Sequence, residues 1–392
     1  MLKRFMYHAG TPPITILLWD GTEVGAAAGP EALRVRLTDR MALYKLIFNP
    51  DLQFGELYVA NRLQIEGDLY KMLRVLCDAL PDFSQRGRLH RALAYLYLLK
   101  RNSLDRAKDN IHHHYDIGNA FYRLWLDEQL VYTCAYFQQP DLSIEQAQIA
   151  KLDFVCRKLQ LQPGQHVVEA GCGWGSLALH MAKHYDVTVK AYNISKEQLA
   201  YARERAALEG LADNVEFIEG DYRQIQGKFD RFVSVGMLEH VGLKHFRDLG
   251  ATINRVLQPE GRGLIHSIGR NRPMPMNAWI QRNIFPGAYP PSLGEMATIF
   301  EPFRFSILDV ENLRLHYAET LHHWLQRFDQ NVEQVRQMFD EAFVRAWRLY
   351  LAGSKAAFDC GELQLFQVVF TRFNNNAIPA TRDFLYTQDM SQ

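Results

Sequence analysis

Three glycines at alternate positions constrain this chain more than any other feature. They lie in Val167-Val168-Glu169-Ala170-Gly171-Cys172-Gly173-Trp174-Gly175, where two valines open a buried strand and 176–184 read as the helix that follows. Glycine has no Cβ, so the chain can turn tightly and a ligand can come close to the backbone. The first amides of the following helix have no intrahelical partners and face such a ligand. A glycine-rich turn alone is a weak signal, since a strand-to-helix connection needs no ligand. Here the order is strand, glycines, helix, with Glu169 just upstream, and that order favours a ligand site.

From Ser143 the sequence alternates between helical and strand patterns. Helices are expected at 144–159, 196–208 and 246–257, and strands at 167–168, 187–192, 215–219, 231–235 and 263–268. Such alternation implies a mostly parallel sheet with helices on both faces, an α/β core of Rossmann-like type. Ligands of such sheets sit beyond the carboxyl ends of the strands. After the second strand come Asn193, Ile194, Ser195 and Gln198. After the third come Asp221, placed to accept from an adenine amine, and Tyr222, placed to stack. After the fourth comes Glu239, and after the fifth His266-Ser267-Ile268-Gly269. Each alone reads equally well as a surface or capping residue. Together at strand ends, Glu239 and His266 point to one crevice.

Hydrophobic residues make up 48% of the 392 residues and charged residues 22%, which allows two or three domains with real cores. The formal net charge of zero argues against wholesale binding of nucleic acid. The five cysteines are odd in number and widely spaced, without a C-x-x-C, so neither a zinc site nor a disulfide framework is expected and a reducing cytoplasm fits. The apolar run 14–19 is interrupted by Asp20, so no signal peptide or membrane-spanning helix is expected and lipid contact would be peripheral.

Residues 1–82 read as a small α+β domain. Strands 14–19 and 32–37 flank an Asp20-Gly21 turn, and helices at 41–48 and 68–80 end at Pro50 and Pro81. Residues 83–113 form a basic linker. Arg86, Arg88, Arg91, Lys100, Arg101, Arg106 and Lys108 surround an apolar stretch with helical spacing. This segment reads either as a helix lying on an anionic membrane or as an interdomain helix with solvated charges. His112-His113-His114 suits packing or capping, because three adjacent side chains cannot all face one metal. Residues 114–392 then form the catalytic domain. Its segment 270–303 is rich in proline and aromatics without helical period, which suggests a cap, extending to about 350, over a hydrophobic pocket. Helices are expected at 318–328 and 332–353, and late strands at 363–373.

The G-x-G-x-G spacing resembles motif I of class I S-adenosylmethionine-dependent methyltransferases, in which the upstream acid, here Glu169, helps hold the charged end of the cofactor. Five further segments extend the likeness: Tyr115-Asp116-Ile117-Gly118-Asn119, Tyr132-Thr133-Cys134-Ala135-Tyr136-Phe137, Gly236-Met237-Leu238-Glu239-His240-Val241-Gly242, Asn283-Ile284-Phe285-Pro286-Gly287 and His316-Tyr317. In this order they resemble the cyclopropane-fatty-acyl-phospholipid synthases and the related mycolic acid cyclopropane synthases, over roughly residues 114–373.

The resemblance implies transfer of a methylene group from S-adenosylmethionine to a cis double bond of an unsaturated phospholipid acyl chain, by a homodimer on the inner face of the membrane. A related outcome would be a methyl- or methylene-branched chain, and a small-molecule methyltransferase with the same core is a further alternative. The resemblance implies a bound bicarbonate as base, held by Cys134, Glu239, His266, Ile268 and Tyr317, with Cys134 and Ile268 offering backbone groups. Cys134 has no base adjacent in sequence that would make it a nucleophile. The cofactor would contact Tyr132, Thr133, Glu169, Gly171, Gly173, Trp174, Gly175, Asn193, Ile194, Gln198, Asp221 and Tyr222. Three positions depart from the pattern. Ser354 stands where relatives often carry cysteine, Ala288 follows Gly287 where a second glycine is usual, and Asn283 replaces a common aromatic.

Overall fold

The computed structural model describes residues 14–25, 33–79 and 117–386. The basic segment, the three adjacent histidines and the Tyr115-Asp116 pair lie outside the described residues. The chain divides into two compact units. The first gathers the described residues of Met1–Ser103 with Pro275–Gly287 and Tyr317–Leu363. The second gathers those of Leu104–Met274 with Ala288–His316 and Gln364–Gln392.

The first unit carries a four-stranded sheet of β1 (Ile14–Leu17), β2 (Glu23–Val24), β3 (Leu33–Leu37) and β4 (Leu63–Glu66), in the order β2-β1-β3-β4. The turn expected at Asp20-Gly21 forms: Gly21 adopts φ of 84° and β1 pairs antiparallel with β2. Asp39 caps the helix Arg40–Phe48 by accepting from the Ala42 amide. Pro50 does end that helix, but it also opens a second one, Pro50–Val59, because proline lacks only an N–H that the first turn leaves unpaired anyway. Gly55 of this helix lies flat against the Trp279 ring, where a Cβ would fall 2.3 Å away. The helix expected at 332–353 is two helices, Val332–Met338 and Glu341–Asp359, because Asp340 caps the second by accepting from the Phe343 amide. The helix Leu69–Ala79 packs on Glu341–Asp359, with the Tyr70 hydroxyl donating to Asp359 at 2.7 Å. A disulfide joins Cys77 to Cys360 in this unit, contrary to expectation; the two cysteines are 283 residues apart and leave no local spacing to read.

The second unit is built on a seven-stranded sheet. Its strands are β5 (His166–Ala170), β6 (Thr188–Asn193), β7 (Val215–Glu219), β8 (Phe229–Val235), β9 (Leu257–Gly269), β10 (Phe305–Asn312) and β11 (Gln364–Arg372). The order is β10-β11-β9-β8-β5-β6-β7, parallel from β9 to β7, with β11 antiparallel to both its neighbours. Neighbouring valines explain the unbroken apolar runs. Val167 enters a core with helices Ile144–Leu159, Ser176–Tyr185 and Lys196–Leu208, whereas Val168 enters a core with Phe246–Val256 and Leu293–Phe300 on the opposite face. The helix Leu293–Phe300 lies within the segment expected to be a loop-like cap. It is fixed by a Ser292–Glu295 capping box and packs so closely that the Ile299 carbonyl would sit 2.2 Å from a Cβ at Gly250. The switch in strand order falls between β5 and β8, so the crevice lies beyond their carboxyl ends.

Candidate active site

All three glycines of the turn after β5 adopt positive φ, 85° at Gly171, 54° at Gly173 and 84° at Gly175. The turn is clamped from below, because the Gly171 and Cys172 amides both donate to the Tyr192 carbonyl. A Cβ at Gly171 would touch Met237, and one at Gly175 would strike Phe217, but one at Gly173 would meet nothing within 4 Å. The turn therefore offers an open, backbone-lined face beside a helix N-terminus, which fits a ligand pressed against the main chain.

Glu169 is buried beneath this turn, and its Oε2 has no hydrogen-bond partner. Burial raises its proton affinity, partly offset by the Lys151 ammonium. An orphaned buried carboxyl oxygen suits the cationic end of a cofactor. Asn193 ties the end of β6 to the turn by donating to the Gly173 carbonyl at 3.2 Å and to Gln198 Oε1 at 2.8 Å. Its own Oδ1 accepts from the Ile194 amide. Asp221 is less open than expected: its carboxylate accepts from Arg223 through Nε at 2.6 Å and a terminal nitrogen at 2.8 Å. The buried Tyr222 hydroxyl has no partner, and burial raises its proton affinity. Trp174 donates to Asn119 at 2.7 Å and meets Tyr122 edge-on at 5.0 Å, so its ring anchors the segment that leads to Tyr132. Tyr132 in turn packs on Tyr122 and Trp125.

Thr133 and Cys134 are held against the strand ends by residues that the sequence reading missed. Gln148 donates to the Val131 and Thr133 carbonyls, and the fully buried Lys151 donates to the Thr133 hydroxyl at 2.9 Å. Burial lowers the Lys151 pKa, opposed by Asp127. Cys134 is buried, with its thiol directed at the Ala135 carbonyl. A signal for these groups existed. Gln148, Lys151 and Lys158 sit on the face of Ile144–Leu159 that otherwise buries Ile144, Ala147, Leu152, Val155 and Leu159. Polar side chains at core spacing in a helix need buried partners.

Glu239 stands in the short helix Leu238–Val241 after β8. Its Oε1 accepts from the Ile268 amide at 2.6 Å, so that N–H is committed to Glu239 rather than open to a ligand. Its Oε2 is buried without a partner, and burial raises the pKa to about 7. The carboxyl thus holds a proton near neutrality and can donate from Oε2. His266 lies on β9, two residues before Ile268 and therefore on the same face of the strand. It is 1% exposed, and burial with the nearby Lys151 and Lys158 pushes its pKa well down, so the ring is neutral. Tyr317 belongs to the other unit, where its ring stacks on Phe358 at 4.5 Å and meets Trp324 edge-on.

This geometry is a backbone cradle with an orphaned acid beneath it and, at the next strand ends, a carboxyl of raised proton affinity and a neutral imidazole. Comparison with known proteins gives it a family. Residues 102–368 match the family described as Mycolic acid cyclopropane synthetase. The chain belongs to that family. Residues 1–86 match a separate domain of unknown function. A probable fatty acid methyltransferase of Pseudomonas putida is 35% identical over 390 residues, covering 95% of this chain and 96% of its own length. The cyclopropane-fatty-acyl-phospholipid synthase of Escherichia coli K12 is 41% identical over 270 residues, 69% of each chain. The crystal structure of mycolic acid cyclopropane synthase CmaA1 complexed with SAH and CTAB superposes with a TM-score of 0.65 at 30% identity, over 68% of this chain and 98% of that one. The core is that of a class I methyltransferase. The protein is an S-adenosylmethionine-dependent methyltransferase that acts on lipid acyl chains.

Proposed function

We propose that the protein converts a cis double bond in an unsaturated phospholipid acyl chain to a cyclopropane ring, with a bound bicarbonate as the proton acceptor. S-adenosylmethionine, when bound, supplies an electrophilic sulfonium methyl. The glycine turn and Glu169 hold it, and Asn193, Gln198 and Tyr222 are placed to contact its nucleoside end. One alkene carbon bonds the methyl carbon as the C–S bond breaks, and the other alkene carbon is left cationic. A proton then leaves the new methyl group, and its electron pair closes the third ring bond. S-adenosylhomocysteine and the captured proton are the other products.

A single observation carries this reading: the unpartnered Glu239 Oε2 in a carboxyl that keeps its proton to about pH 7. A protonated oxygen there, with a neutral His266 on the same strand face as Ile268, would offer two donors to a small oxyanion and no competing negative charge. A buried anion so held remains basic and also stabilises a developing cation. Cys134 is a further proposed holder, through a backbone group, and the buried surroundings of Glu239 and His266 keep water from trapping the cation. No helix among the described residues is long and apolar enough to cross a membrane. In the proposed reaction a homodimer at the cytoplasmic face draws the acyl chain from the bilayer.

Vesicles of cis-monounsaturated phospholipid incubated with the protein and methyl-labelled S-adenosylmethionine are expected to yield labelled lipid with upfield cyclopropane proton signals, at a rate that rises with added bicarbonate. Labelled lipid that carries only a branched methyl or methylene group would overturn the ring-closing step. A rate indifferent to bicarbonate depletion would overturn the bicarbonate assignment.

A further inference from the structure

The neutral imidazole of His266 has a defined environment on its Nδ1 side. β10, β11 and β9 lie side by side, and in their register Glu311 pairs with Gln367 and Gln367 pairs with His266. These three side chains therefore form one row across the sheet. Lys158 completes it from the helix Ile144–Leu159. Its ammonium pairs with Glu311 and donates to Gln367 Oε1 at 2.7 Å. Its stem crosses the Phe154 ring, with Nζ 4.5 Å from the centroid. Gln367 Nε2 lies 3.0 Å from His266 Nδ1. Gln367 is fully buried, and the Lys158 side chain is 1% exposed.

The chemistry of each group fixes the next. An ammonium has donors and no acceptor, so the Gln367 amide must turn its oxygen to Lys158. Its NH2 group then faces His266 Nδ1, which must accept. The one ring proton is left on Nε2, and a second proton on Nδ1 would face an N–H across the same contact. We propose that Gln367 is a positioning residue, oriented by the Lys158–Glu311 pair, that holds His266 as the Nε2–H tautomer so that Nε2 donates to the anion in the active site. The part about the anion rests on the function proposed above; the part about the tautomer does not.

Nitrogen NMR of the full-length protein labelled at histidine, with His266 assigned by its loss in His266→Gln, reads the tautomer without any turnover. The wild type is expected to show the proton on Nε2 across neutral pH. Gln367→Glu replaces the donor to Nδ1 with an acceptor. It is expected to move the proton to Nδ1 or to produce the imidazolium, and to lower methyl transfer by about 10- to 100-fold, by analogy with the loss of groups that orient metal-ligating histidines. S-adenosylmethionine affinity, measured by calorimetry, should stay within about twofold. Lys158→Met frees the amide to flip and serves where Gln367→Glu does not fold; it should give a mixture of tautomers with an intermediate rate. A wild-type ring protonated on Nδ1, or a changed tautomer with unchanged turnover, overturns the proposal. A correct tautomer in a protein that transfers no methyl group to any phospholipid leaves the relay standing and sinks the function instead.

Discussion

Glu239→Gln is expected to lower methyl transfer by about 10²–10⁴-fold, the range for loss of a positioned proton-transfer group. S-adenosylmethionine affinity should be unchanged, because the glycine turn and Glu169 do not depend on that side chain. The amide is isosteric and its oxygen still accepts from the Ile268 amide, so the local fold survives. What it loses is an Oε2 that exchanges a proton with a bound oxyanion. The substitution also separates function from stability. Burial raises the Glu239 pKa from 4.5 to about 7, so the unfolded chain gives up this proton before the folded one does. The resulting stability is fully present below pH 4.5 and is lost as pH rises to about 7. At about 1.36 kcal/mol per pH unit this amounts to about 3 kcal/mol. Glutamine has no proton to lose. Denaturant titrations of the two proteins should therefore diverge with pH, the variant gaining on the wild type between pH 4.5 and pH 8. An inactive variant that is no less stable at pH 8 is the expected result. A variant that still turns over at the wild-type rate removes Glu239 from the chemistry.

The place of Glu239 just beyond the end of β8 was legible in the sequence from the strand pattern rather than from its neighbours. The parallel strands are apolar runs buried on both faces, their ends are marked by glycine or a polar residue, and an α/β sheet puts ligands at those ends. Val167 and Val168 divide between two cores as such a run requires. β10 did not announce itself because it is an edge strand: after the buried Phe305 its residues are half-exposed or exposed, and no clear alternation survives. The helix Pro50–Val59 was hidden by the double meaning of proline, which stops one helix and starts another. The row Glu311, Gln367 and His266 depends on strand register across three strands distant in sequence, and no local pattern encodes register. Gln367 stood out only as a polar residue inside an apolar strand, Gln364–Arg372. Its partner Lys158 stood out in the same way on the buried face of its helix. Each oddity was visible, but their pairing was not.

Two alanine substitutions in the glycine turn should have opposite signatures. At Gly175, φ is 84° and a Cβ would lie 2.7 Å from Phe217 and 2.9 Å from Ala202. The left-handed backbone costs about 1–2 kcal/mol for a residue with a Cβ. Forcing a methyl between the packed ring of β7 and its neighbouring helix adds about 1–3 kcal/mol. Gly175→Ala is therefore expected to destabilise the protein by about 2–5 kcal/mol, seen as a large drop in Tm, with cofactor binding weakened because the turn deforms. At Gly173, φ is 54° and the added Cβ meets nothing within 4 Å. Only the backbone term remains, so Gly173→Ala should keep a Tm within a few degrees of the wild type. Its methyl would nevertheless project into the open face of the turn, where the cofactor is proposed to press against the main chain, and S-adenosylmethionine affinity should fall by at least about tenfold, or 1.4 kcal/mol. The pair distinguishes a turn that is tight for packing from one that is open for a ligand. If Gly173→Ala binds S-adenosylmethionine as tightly as the wild type, the cradle is elsewhere, because a methyl group placed against the bound cofactor cannot be neutral when the backbone beneath it is clamped to Tyr192.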